Sequence, residues 1–131
     1  IAPDRPANLY FCMPGNPRWQ YVGAADPAVQ SRWGSKPTTA NGGPLAPTLD
    51  FDVITNSVIY LRMDLGDKLG EPAAASATGS RHAVAIRLTP GRHYRLAWQA
   101  GPDLRKTQGQ LTDLASRVVT DTVEISVLSC R

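Results

Sequence analysis

Residues 81–106 carry Arg81, Arg87, Arg92, Arg95, Arg105 and Lys106 against one acid, Asp103. On strands of period 2, Arg87, His93 and Arg95 turn away from the core and form one cationic patch on a sheet, with Arg92 beside them. A planar guanidinium fork suits a carboxylate, sulfate or phosphate. The competing reading is an ordinary solvated face whose arginine stems cover apolar surface. A second cluster is acidic: Asp50, Asp52, Asp64, Asp67 and Glu71. Its spacing follows no calcium-loop pattern, so ion pairing accounts for it and no metal is implied. His82 and His93 bracket a predicted strand pair; meeting in space beside an Asp, they could bind a metal or move a proton. Ordinary surface histidines explain them more simply. The chain has no Gly-x-Ser-x-Gly, Walker, His-Glu-x-x-His or Cys-x-x-Cys motif, and no motif calls for a cofactor.

Cys12 and Cys130 are the only cysteines and sit near opposite ends of the chain. Such a pair, without metal-type spacing, reads as one disulfide, and two buried free thiols are the alternative. A disulfide points to an oxidising compartment: secreted, surface-exposed or part of a virion. Closing so long a loop restrains the unfolded chain by about 4–5 kcal/mol at most. The net charge is +3, with 14 cations against 11 acids. That mild excess suits an anionic partner, but it lacks the dense basic runs of a nucleic-acid binder. No apolar run reaches the roughly 18–20 residues of a membrane span. The chain opens on Ile1 and holds no Asn-x-Ser/Thr sequon. It therefore reads as a processed or excised domain of unglycosylated origin.

Positioning these residues requires strands and turns. A chain of 131 residues is read as one domain. Its first 48 residues hold eight of the eleven prolines and read as a loop-rich arm with edge strands at 7–12 and 19–22. The aromatics Tyr10, Phe11, Trp19, Tyr21 and Trp33 lie there. Exposed Trp19 and Trp33 could stack on a sugar or anchor a protein, or else the rings close the ends of the core. The stretch 30–47 reads as a long surface loop. Residues 49–131 form the regular part. Alternation predicts strands at 49–53, 58–65, 82–88, 93–100 and 122–129, with a loop over 66–80. Leu111, Leu114, Ala115 and Val118 fall at helical spacing, and Thr107 with Gln110 resembles a capping box, so a short helix is predicted near 108–118. The sum is an all-β, antiparallel two-sheet sandwich with one short helix.

Leu88-Thr89-Pro90-Gly91-Arg92-His93-Tyr94-Arg95-Leu96-Ala97-Trp98 resembles a corner of fibronectin type III domains, which runs Leu-x-Pro-Gly-x-x-Tyr with alternating apolar residues after it. Pro90 and Gly91 suit a type II turn, since glycine accepts the positive φ at its third position. The resemblance implies an Ig-like or jelly-roll-like sandwich in which the Tyr94 hydroxyl bonds back to the corner's backbone. It covers eleven residues. The expected early core tryptophan lacks a counterpart, and the chain is longer than that family's domains.

The resulting expectation is a non-enzymatic extracellular binding module. It would recognise a glycan or protein through Arg87, Arg92, His93, Arg95, Trp19 and Trp33. One alternative is a structural subunit or surface domain of a viral capsid or fibrous assembly, self-associating through its Pro-rich arm. The other is a small secreted enzyme or enzyme inhibitor.

Overall fold

The computed structural model describes residues 1–15, 18–28, 46–53, 58–66, 69, 80–100, 106–127 and 130. They contain nine strands in two sheets. One sheet runs in the order β1 (Ala2–Pro3), β6 (Tyr94–Ala100), β7 (Thr107–Asp113), β8 (Val119–Asp121). The other runs β3 (Gln20–Ala25), β2 (Ala7–Cys12), β4 (Val58–Leu65), β5 (Ser80–Arg87), β9 (Val123–Ile125). All strand pairs are antiparallel except β1 with β6.

Alternation decides which faces meet. Ile59, Leu61, Met63 and Leu65 are buried along one face of β4, opposite Ile86, Val84 and His82 on β5. On β6, Leu96 and Trp98 turn inward and meet Leu111 and Gly109 of β7. Leu9, Ile59, Leu61, Met63 and Val84 from the larger sheet share one apolar cluster with Leu96, Trp98 and Leu111 from the smaller. Each such side chain contributes about 1.5–3 kcal/mol by leaving water. A two-sheet sandwich with one core follows.

Four local expectations are corrected. Residues 107–113 form β7, and no helix occurs among the described residues. The helical stripe fails because only Leu111 of its four members is buried, whereas Leu114 and Val118 face solvent. Gly109 settles the matter: a Cβ there would lie 2.6 Å from Thr122 Oγ1 and 3.2 Å from Leu96 Cδ1. Thr122 therefore packs against bare backbone, and its N–H donates to the Gly109 carbonyl at 2.9 Å. Second, Leu49 to Val53 is extended but joins no strand ladder. Leu49, Phe51 and Val53 are half-buried and the intervening aspartates exposed, so the burial alternates as predicted. The segment is fastened by reciprocal bonds between the backbones of Leu49 and Ile1. Third, β2 is an interior strand between β3 and β4, not an edge. Its buried Ala7, Leu9, Tyr10 and Cys12 belong to the body of the sheet. β1 likewise pairs with β6 of its own chain. Finally, the last strand is only Val123–Ile125, with Val123 exposed; 128–129, like most of the two predicted loops, lie outside the described residues.

Cys12 and Cys130 form the disulfide, with Cα atoms 6.4 Å apart across 118 residues of sequence. β9 lies beyond β5, with β4 and β5 between it and β2. The bond therefore holds the chain's end back toward the middle of the larger sheet. Trp19 adds a second fastening, its Nε1 donating to the Val127 carbonyl at 2.8 Å.

Two stability predictions follow from this packing. Gly109→Ala should lower stability by about 1–3 kcal/mol, because the added Cβ would meet Thr122 Oγ1 at 2.6 Å and Cγ2 at 3.0 Å and force Thr122 to shift. Urea unfolding measures it, and an unchanged midpoint would show that Thr122 does not sit against this glycine. The double variant Cys12→Ser/Cys130→Ser should lose about 2–5 kcal/mol in the same assay. Equal midpoints for it and the oxidised parent would contradict a stabilising bond.

Candidate functional site

The site grows from the corner where the chain leaves β5 in one sheet and enters β6 in the other. Pro90 and Gly91 make the turn, Gly91 at φ 77°, a conformation glycine adopts without the strain a Cβ brings. Tyr94, half-buried, packs its ring against the core, and its hydroxyl accepts the Thr89 N–H at 3.0 Å. The backbone bond implied for Tyr94 by the corner motif is therefore present.

Beside the corner, the β7–β8 hairpin turns through Leu114–Val118. Asp113 organises it: Oδ1 accepts the N–H groups of Ala115 at 3.0 Å and Ser116 at 3.4 Å. Its other oxygen accepts Arg92 Nη1 at 2.7 Å. The Leu114 N–H donates to the His93 carbonyl at 2.9 Å, so hairpin and corner are joined by backbone as well as charge. The Arg92 hydrogen bond holds the Asp113 carboxyl below its ordinary value, helped by the two hairpin N–H groups against a smaller opposing effect of desolvation. The same bond raises Arg92.

Two hollows open around this joint. One, of about 620 Å³, lies under the extended 49–53 segment, floored by Phe51, Ile59, Leu61 and Leu96 and bordered by Asp50, Asp52, Arg92, His93 and Arg95. The other, of about 650 Å³, lies between the sheet edges, lined by Val58, Arg87, Val118, Asp121 and Val123. Arg92, Tyr94, Ile86 and Leu111 line both.

The single cationic patch expected from sequence is split. Arg87 and Arg95 do both point away from the core, but β5 and β6 belong to different sheets, so they leave from opposite outer faces. Arg92 serves both hollows, while His93 and Arg95 reach only the first. All four are exposed. Trp19 is elsewhere, half-buried on the outer face of the larger sheet. There Arg62 stacks 3.9 Å from the Tyr10 ring centroid and 5.5 Å from that of Trp19. Arg62 also grips the buried Asp64 with two bonds of 2.9 Å. Trp33 lies outside the described residues.

The acidic cluster is likewise divided. Asp64 is sealed under Arg62, with Arg81 Nε 3.7 Å away, while Asp50 and Asp52 border the first hollow. Asp67 and Glu71 lie outside the described residues. The histidines do not meet. His82 is buried early in β5, its Nδ1 3.6 Å from Glu124, and Arg87 at the corner lies five residues further, about 17 Å along an extended strand. Among the described residues, no three His, Cys, Asp or Glu gather as metal ligands. Helical spacing over 108–118 conceals the role of Asp113 in the sequence. The signal was present in Asp113 followed by Ala115 and Ser116, an Asx-turn pattern. Compared with known protein families, curated proteins and solved structures, the chain matches none.

The joint has a pH signature. Because the folded pKa of Asp113 is depressed, its contribution is complete above the ordinary value of 3.8 and is lost as pH falls through the lower folded value. Thermal midpoints should therefore drop on acidification below about pH 4. The drop should be smaller in Asp113→Asn, which retains the Oδ1 acceptor for the hairpin. Identical acid profiles for the two proteins would contradict the pairing.

Proposed function

We propose that the chain is a non-enzymatic extracellular binding module whose partner is a protein, engaged at the β5–β6 corner. The observation that carries this is the pair of hollows meeting at Arg92 and Tyr94, with apolar floors and rims of both charge signs. Protein interfaces pair an apolar centre with arginine anchors and a polar rim. Glycan recognition usually adds an open aromatic face, and the described tryptophans do not supply one here. Trp98 is fully buried and Trp19 is tied to Val127 and covered by Arg62. The non-enzymatic reading rests on separation: His82 is buried early in β5, about 17 Å along the strand from the start of the corner that carries His93, and both cysteine sulfurs are joined. The disulfide supports the extracellular assignment.

The test is a binding screen of the oxidised chain against secreted and cell-surface ectodomains, run beside a glycan array. A protein partner should emerge whose affinity falls about tenfold or more in Arg95→Ala, with sharper loss at high salt. A glycan ligand with no protein partner, or binding indifferent to Arg92, His93 and Arg95 substitutions, would overturn the proposal.

A further inference from the structure

The 49–53 segment and β6 frame a gap one strand wide. β1 pairs with β6 only at Ala97 and Trp98, so residues 94–96 have no neighbour on that side among the described residues. The 49–53 segment is fastened to Ile1 by bonds of 2.7 and 2.9 Å that Ile1 and Leu49 exchange. Such a reciprocal pair is antiparallel, and Ile1 stands one residue before the pairing of Ala2 with Ala97. Leu49 is therefore level with Leu96, Asp50 with Arg95 and Phe51 with Tyr94. The charge of the Ile1 amino group feels both Asp50 and Arg95, which agrees with that register. β1 separates the two at its own end, so they lie two strand spacings apart, about 9.5 Å.

Backbone groups facing the gap lack partners. The Asp4 N–H donates to the Trp98 carbonyl at 3.0 Å, so alternation points the N–H and C=O of Leu96 and Tyr94 to the same side. On the opposite side of β6 the His93 carbonyl accepts the Leu114 N–H, as the same alternation requires. Across the gap, alternation from Leu49 turns the N–H and C=O of Phe51 toward β6. Phe51 and Tyr94 have no backbone partner among the described residues. Their side chains are half-buried against the core, and the hollow of about 620 Å³ opens between them over Ile59 and Leu61. Asp50 and Arg95 are exposed on opposite sides of the gap.

We propose that the gap takes an extended segment of the protein partner, which adds a strand between β6 and the 49–53 segment. This deepens, and rests on, the reading of the corner as a protein-binding site. β6 runs parallel to β1 and the 49–53 segment antiparallel to it, so an added strand in either direction pairs parallel with one neighbour and antiparallel with the other. Its inward side chain, between Phe51 and Tyr94, is apolar and sits over Ile59 and Leu61. Its outward side chain, between Asp50 and Arg95, is neutral and both donates and accepts, as a carboxamide does. An acid there would meet Asp50, and a base would meet Arg95. The segment carries no proline at the gap, because its N–H groups are needed on both sides. The added strand gives 49–53 the neighbour that its alternating burial calls for.

An amide NMR titration of the oxidised chain with the peptide acetyl-Thr-Val-Gln-Val-Thr-amide tests this without the partner. The Phe51, Tyr94 and Leu96 amides should shift along one saturating curve, and their hydrogen exchange should slow. The same peptide with proline at both valines should bind about tenfold or more weakly. Phe51→Pro should also lose about tenfold, whereas Phe51→Leu, which keeps the N–H and an apolar side chain, should bind within about twofold of the parent. No shift at millimolar peptide, equal binding of the two peptides, or equal losses in Phe51→Pro and Phe51→Leu would overturn the added strand. A screened partner that the peptide does not displace would overturn it too, while leaving a protein partner at the corner in place. Slow exchange of Phe51 and Tyr94 in the dilute free chain would place the chain itself in the gap. Shifts that follow chain concentration without peptide would place a second copy there, and either result overturns the proposal.

Discussion

Gly109 and Thr122 approach so closely that a Cβ at Gly109 would meet the Thr122 side chain at 2.6 Å, and the β8–β9 crossing between the sheets depends on that contact. Thr122 is the single residue between β8, in the smaller sheet, and β9, in the larger. A chain that changes sheets in one residue must bring its backbone hard against the layer it leaves. The absent side chain at Gly109 allows this, and the hydrogen bond from Thr122 to Gly109 fixes the position. Once it is fixed, β8 completes one sheet, β9 completes the other, and the edges of both come to the same side of the sandwich.

The charged residues inherit their positions from the crossings between sheets. The chain crosses three times, at the β1–β2, β5–β6 and β8–β9 connections. Arg92 and Asp113 join the β5–β6 corner to the β7–β8 hairpin through a hydrogen-bonded ion pair that is open to water on the arginine side. Such a pair contributes modestly to stability but orients both groups. The buried pair of Arg62 and Asp64 works differently. Its carboxylate is wholly enclosed, with Arg81 Nε a more distant cation at 3.7 Å, so removing Arg62 would take away both of its 2.9 Å guanidinium bonds. The first pair shapes a surface, whereas the second closes one.

Much of this was legible in sequence wherever a strand had one wet and one dry face. Ala7–Cys12 and Val58–Leu65 agree with expectation residue for residue, and the cysteine pair and the Tyr94 corner were both readable. Failures came where the deciding interaction was distant. Leu111, Leu114 and Val118 match helical spacing by accident, because a hairpin loop interrupts the strands. The fact that excludes a helix, Thr122 against Gly109, is a contact made thirteen residues along the chain. Arg87 and Arg95 share an alternation phase, yet phase cannot say that consecutive strands belong to different sheets. Leu49 to Val53 shows the reverse case, with a strand's burial pattern but no neighbouring strand to complete a ladder.

The central claim is that residues 107–125 run strand, hairpin, strand and then cross between the sheets. Nuclear Overhauser spectroscopy of the oxidised chain tests this most directly. In an antiparallel ladder with Thr122 bonded to Gly109, the Hα atoms of Gln110 and Asp121, and of Thr112 and Val119, lie close enough to give strong cross-peaks. The account predicts both, together with contacts from Val123–Ile125 to Ala83–Ala85 of β5. Helical shifts over 108–118 with i to i+3 cross-peaks, and none to Val119 or Asp121, would contradict it.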